Sequence, residues 1–254
     1  MVDHVQSLAR GLAVIRAFSA TTPALTLSEV ARETGLTRAT ARRFLLTLVE
    51  LGYMRSDGRL FTLTPRVLEL GYAYLSGLSL PEVAAPHLER LAAEVHESTS
   101  VAVLDGEDVV YVARVATARI MRVTISIGTR FPAYCTSMGR VLLAALPPPA
   151  LDHYLSQADL RPLTSRTLTS PTALRTELDQ VRTHGWSMVD QELEEGLRSL
   201  AVRIRNRSGA TVAALNVSTH ASRTTLQHAR RELLPLLQTT AARIEADLSA
   251  QTRA

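Results

Sequence analysis

Apolar residues recur at helical spacing along the first fifty positions. Leu8, Leu12, Ile15 and Phe18 predict the buried stripe of a first helix, and Thr22-Pro23 marks a loop after it. Thr26-Leu27-Ser28-Glu29 has the form of a capping box. The short helix it opens would set Leu27, Val30, Ala31 and Thr34 on one face and end at Gly35. Thr37 can cap the next helix, in which Ala41, Phe44, Leu45, Leu48 and Leu51 point inward. Arg38, Thr40, Arg42 and Arg43 are left outward near its start. Residues 52–63 then read as a hairpin with Asp57-Gly58 at its turn and Arg59 at its tip. Two helices joined by a tight turn and followed by a hairpin make a winged helix-turn-helix, the second helix of which enters the major groove of double-stranded DNA.

Residues 66–80 carry more apolar surface than a flexible linker and predict a linker helix with Val67, Leu70, Tyr74 and Leu78 on one side. That side suits either a partner subunit or packing within the chain. Pro81 fits the first turn of a further helix with Val83, His87, Leu88, Leu91 and Val95 inside. From Thr99 the period shifts towards two. Strands are expected at 100–104, 109–113 and 121–126, with Asp105-Gly106 as the first turn, and again at 186–190, 199–205 and 211–218. Helices are expected at 138–144, 148–157 and 171–184, and a closing helix through 223–249 is kinked or broken by Pro235. Strands, then helices, then strands indicate an α+β fold in which helices flank an antiparallel sheet. The domains expected are 1–65 for the winged helix, 66–80 for the linker and 81–254 for the second domain.

Composition narrows the chemistry. Of 254 residues, 28 are Lys+Arg and 24 are Asp+Glu, a formal charge of +4, and every one of the 28 is arginine. Residues 10–66 hold nine arginines against four acids, so the excess sits on the helix-turn-helix. Without lysine there is neither a Walker-type phosphate loop nor a Schiff-base amine. One cysteine, Cys135, excludes disulfides and multi-cysteine metal sites, and neither a metal nor a cofactor is expected. No apolar run reaches membrane-spanning length and no secretory leader is visible, so the reading is a cytoplasmic protein without a membrane partner. Glycine-rich nucleotide loops, Gly-x-Ser-x-Gly and His-Glu-x-x-His are absent, and no catalytic residue is expected. Cys135 precedes a helix start, a position that can lower a thiol pKa, which makes it the one candidate nucleophile.

Two stretches, Ala133-Tyr134-Cys135-Thr136-Ser137-Met138-Gly139-Arg140-Val141-Leu142-Leu143-Ala144 and Asp190-Gln191-Glu192-Leu193-Glu194-Glu195-Gly196-Leu197-Arg198-Ser199-Leu200-Ala201-Val202, resemble the effector domain of the IclR family of bacterial transcription regulators. The wording is most similar to the subgroup that controls the β-ketoadipate route of aromatic-acid breakdown. One departure is Arg203, where the family tends to have proline. The resemblance implies a winged helix, a helical linker and a C-terminal GAF-like effector-binding domain, assembled as a homodimer or tetramer. It maps Asp190, Ser199, Asn216 and Ser218 as polar lining of an effector site. Thr136, Ser137 and the free N–H groups of the following helix could hold a carboxylate, with Met138, Leu142 and Ile125 as apolar walls. Asp190 and Glu192 have a second reading as ion-pair partners of Arg198 or Arg140. The expected function is sequence-specific DNA binding through Arg38, Thr40, Arg42, Arg43 and Arg59, controlled by a small aromatic or dicarboxylic acid. The competing reading keeps the DNA-binding module and treats the second domain as an oligomerisation platform without a small ligand.

Overall fold

The computed structural model describes residues 5–19, 21–70, 79–117 and 125–251. The chain divides into two compact units, Met1–Gly77 and Leu78–Ala254.

In the first unit, helix α1 spans Gln6–Arg16, strand β1 Ala24–Thr26, helix α2 Leu27–Thr34, helix α3 Arg38–Glu50, strand β2 Met54–Ser56 and strand β3 Leu60–Leu63. The α2 boundaries follow from its caps. The Thr26 side chain accepts from the Glu29 N–H while Glu29 reaches back to the Thr26 N–H at 2.7 Å, and Gly35 leaves the helix at φ 64°. Thr37 likewise accepts from the Thr40 N–H to open α3. Around these helices Val14, Phe18, Leu25, Val30, Ala41, Leu45, Leu48, Met54 and Phe61 form one core.

The first helix corrects the stripe expected of it. Val14 is fully buried, whereas Leu8 and Leu12 are 62% and 49% exposed. Leu51, placed inward by its spacing, is exposed because it lies past the last turn of α3. The segment after Thr22-Pro23 is also more than a loop. β1 pairs antiparallel with β3, so the wing is a three-stranded sheet in the order β1-β3-β2.

Of the expected linker helix, Pro65–Leu68 form a 3-10 turn and Leu70 is exposed, while Tyr74 and Leu78 lie outside the described residues. The second unit begins with helix α4, Ser79–Val95, which buries Val83, His87, Leu88 and Leu91 as expected. Strands β4 (Ser98–Asp105) and β5 (Asp108–Val115) form a hairpin that turns through Gly106-Glu107, one residue later than Asp105-Gly106. A bulge between Val101 and Ala102 shifts its register. The strand expected at 121–126 is not seen in its described part, since Ile125 and Ser126 are not extended in a ladder, and 121–124 lie outside the described residues. Instead β6 forms at Arg130–Pro132 on β5.

Helices α5 (Ser137–Ala144), α6 (Pro148–Gln157) and α7 (Pro171–His184) follow, then strands β7 (Trp186–Asp190), β8 (Leu197–Arg205) and β9 (Thr211–His220). The chain closes through Leu226–His228, a π-helical turn at Ala229–Leu233 and helix α8, Leu234–Gln251. Pro235, without an N–H to give, sits at the start of α8 just past the widened turn, which is where the expected irregularity falls. The sheet is antiparallel, ordered β6-β5-β4-β9-β8-β7. One face packs on α4 and α8 through Leu88, Leu91, Val101, Leu215, Val217, Leu237 and Ile244. The other packs on α5, α6 and α7 through Ala102, Tyr111, Met138, Val141, Leu151, Leu178, Ala201 and Ala214.

Candidate DNA interface and effector site

The first half of α3 holds the candidate DNA-reading residues. Ala41, Leu45 and Leu48 fix its inner face, so Arg38, Arg42 and Arg43 stand exposed on the other side. Thr40 is half-buried, and its hydroxyl accepts from that of Thr37 at 2.9 Å, which ties it to the helix cap. Arg59 is exposed in the wing, where the Asp57 carboxylate accepts from the Arg59 and Leu60 N–H groups at 2.9 and 2.7 Å. Those bonds hold the Asp57 carboxyl below its ordinary pKa. Among the described residues none of Arg38, Arg42, Arg43 and Arg59 forms an ion pair, so their charge faces outward unneutralised.

The second unit holds the candidate effector site, between the sheet and the start of α5. Thr136 caps that helix by accepting from the Gly139 N–H at 3.1 Å. The helix starts hard against the preceding turn: a Cβ on Gly139 would lie inside the van der Waals shell of the Ala133 carbonyl oxygen, so only glycine fits. Beside the cap, the Ser199 hydroxyl on β8 donates to that of Ser137 at 2.8 Å. On β9 the Asn216 amide donates to the Ser218 hydroxyl at 3.0 Å, while the Asn216 Oδ1 is buried with no partner among the described residues. Thr136, Ser137, Met138, Ser199, Asn216 and Ser218 thus meet around one small cavity of about 10 Å³, room for about one water molecule. Tyr111, Cys135, Val189, Leu193 and Leu197 complete its lining. None of these side chains is an acid or a base at neutral pH: burial pushes the Tyr111 hydroxyl and the Cys135 thiol up to about 12 each. Cys135 is therefore not activated at this helix start: burial moves its thiol in the direction opposite to the one expected, despite the nearby Arg140.

Asp190 lies outside that lining. It is held between Arg198 at 2.7 Å and Arg166 at 2.5 Å. Glu192 pairs with the fully buried Arg140 at 2.5 Å and also accepts from the Leu168 N–H at 3.0 Å. These pairs fix the loop between β7 and β8, which delivers Leu193 to the cavity next to Leu197 at the start of β8. Leu142, on α5, packs into the core, Ile125 lies against the same cluster, and neither lines the cavity. Arg203, paired through β9 with Ala214, lies against Gly185, away from this lining. Tyr111, Val189, Leu193 and Leu197 escaped the sequence reading because their strand and loop patterns mark them only as apolar.

Residues 7–58 match the IclR helix-turn-helix domain and residues 72–246 the bacterial transcriptional regulator IclR C-terminal domain. The chain belongs to the IclR family. Among its IclR relatives, the Pca regulon regulatory protein of Pseudomonas putida is 50% identical over 236 residues, covering 92% of this chain and 81% of the relative. The p-hydroxybenzoate hydroxylase transcriptional activator of Acinetobacter baylyi is 37% identical, covering 94% of this chain and 90% of its own. An IclR homolog from Microbacterium hydrocarbonoxydans, solved in complex with 4-hydroxybenzoate, superposes with a TM-score of 0.85 at 29% identity over 96% of this chain and 99% of that one. No helix among the described residues is long and apolar enough to cross a membrane.

Proposed function

We propose that this IclR-family chain is a cytoplasmic, non-enzymatic, sequence-specific DNA-binding transcriptional regulator of aromatic-compound catabolism genes, controlled by a small aromatic acid. The observation that carries the reading is the pairing of four unneutralised arginines on a winged helix-turn-helix with a buried, hydroxyl-lined cavity at the start of α5. Arg38, Thr40, Arg42, Arg43 and Arg59 form the DNA-contacting set, with arginines suited to guanine edges or phosphates. Thr136, Ser137, Met138, Ser199, Asn216 and Ser218 form the effector set. The relatives that act in the Pca and p-hydroxybenzoate systems, and the neighbour holding 4-hydroxybenzoate, support an aromatic acid as effector.

The size of the cavity supplies the switch. At about 10 Å³ it cannot take a benzene ring without Met138, Leu193 or Leu197 moving, so binding is coupled to a change of shape. A ligand that favours one shape shifts the protein towards it by its differential affinity, and that shift reaches the DNA through the spacing of two recognition helices in a dimer or tetramer. The exposed Leu8 and Leu12 on α1 support such an assembly.

The test is a fluorescence-anisotropy titration against the intergenic DNA beside the gene, with a scrambled control, in the presence and absence of 4-hydroxybenzoate, protocatechuate and β-ketoadipate. The expected result is preference for the intergenic fragment and a shift of the curve by one aromatic acid. Equal weak binding to both DNAs, or a curve that no acid moves, overturns the corresponding half of the reading.

A further inference from the structure

Outside the lining of the effector cavity, on the same sheet, stands an arginine without a counter-ion among the described residues. Arg114, on β5, is half-buried and has no carboxylate within ion-pairing distance among the described residues. Its Nε is buried with no hydrogen-bond partner among the described residues, and its Nη1 donates to the Ser100 hydroxyl at 3.2 Å. Burial lowers its pKa from the ordinary guanidinium value, and Tyr111, a neutral phenol at this depth, offers it no counter-charge. An unpaired cation in such a place costs stability until an anion meets it.

The register says where that anion would lie. Ser100 on β4 pairs with Arg114 on one side and with Asn216 on the other. Directly paired residues share a face, so Arg114, Ser100 and Asn216 form a row across three strands, on the face covered by α5. The row ends at the orphaned Asn216 Oδ1, 2% exposed for the residue as a whole. One end therefore lacks a negative charge, and the other lacks a hydrogen-bond donor. A carboxylate supplies the first but cannot supply the second, because it only accepts; a hydroxyl supplies the second. Two strand spacings, about 10 Å between backbones, separate the ends, and the long Arg114 side chain reaches inward over Ser100.

We propose that Arg114 anchors the effector's carboxylate and Asn216 accepts from its hydroxyl, so that a hydroxybenzoate-class acid lies across β5, β4 and β9. This rests on the reading that the second unit binds a small aromatic acid. The start of α5, worth about half a charge, then takes the hydroxyl end: the free N–H groups of Ser137 and Met138 can donate to the hydroxyl oxygen while its proton goes to Asn216. A simple dicarboxylate, with acceptors at both ends, leaves Asn216 unsatisfied and is selected against.

Calorimetric titration of the full-length protein with 4-hydroxybenzoate, 4-hydroxybenzamide, benzoate and adipate tests this. The wild type should bind 4-hydroxybenzoate at least tenfold more tightly than each of the other three. Arg114→Met should weaken the acid by tenfold to a hundredfold while leaving the amide within a few fold, and Arg114→Lys should keep part of the preference for the acid. Equal binding of acid and amide by the wild type overturns the proposal without needing any variant. So does an Arg114→Met protein with a native circular dichroism spectrum that loses acid and amide alike. If the wild type binds neither 4-hydroxybenzoate nor benzoate, the aromatic-effector reading itself falls and takes this one with it, whereas binding that ignores Arg114 removes only the anchor.

Discussion

Arg140 and Glu192 occupy a place where neither charge could stand alone. Arg140 donates to the Tyr134 carbonyl at 2.9 Å and to Glu192 at 2.5 Å, so the pair joins the first turn of α5 to the loop that brings Leu193 to the cavity. Glu192→Ala would leave a buried guanidinium facing only Glu177, at 3.9 Å. Breaking such a pair costs about 3–5 kcal/mol, and a chemical-denaturation midpoint should fall accordingly. A loss below about 1 kcal/mol would mean that Glu177 moves in to take its place. The two acids near this loop were visible in the sequence as partners for Arg198 or Arg140, and the structure assigns Asp190 to Arg198 and Glu192 to Arg140. What sequence could not carry was Asp190's distance from the cavity, since that depends on Arg166 arriving from a loop 24 positions earlier.

At the scale of elements, legibility followed punctuation. The helices at 148–157 and 171–184 have their expected bounds because Pro-Pro opens one, Ser170-Pro171 opens the other, and Gly185 stops the second at φ 78°. The first helix was misread because its apolar residues serve two faces, one towards the core through Val14 and one outward through Leu8 and Leu12. The strand β6 escaped notice since three residues are too few to show a period. The capping box of α2 carries a pH signature. Backbone and side-chain bonds from Thr26 hold the Glu29 carboxyl below its ordinary 4.5, so its contribution is present above that pH and is lost as pH falls through the lowered value. Acid titration of the wild type followed by circular dichroism should show this loss, and Glu29→Gln should flatten the acid limb. An unchanged limb in the variant would place the acid sensitivity elsewhere.

For the whole molecule, the decisive property is that each unit has its own core: Val14 to Phe61 in one, two sheet-flanking clusters in the other. Hydrogen exchange should therefore give separate footprints. Operator DNA should slow amide exchange in 6–63, and a bound hydroxybenzoate at a hundredfold excess over its Kd should add about 2.7 kcal/mol of protection to the six-stranded sheet. A hydroxybenzoate footprint in the winged unit instead would put its binding site there. The separation also has a genetic reading. A lesion in the small core should abolish operator recognition while leaving the larger unit folded and able to take up its acid. Cells carrying that allele should keep a sink for the acid without a regulator to answer it. In a merodiploid, the allele that binds the acid but not the operator would compete with the intact one for the effector, so the phenotype would track the dosage of the defective gene and not only its presence.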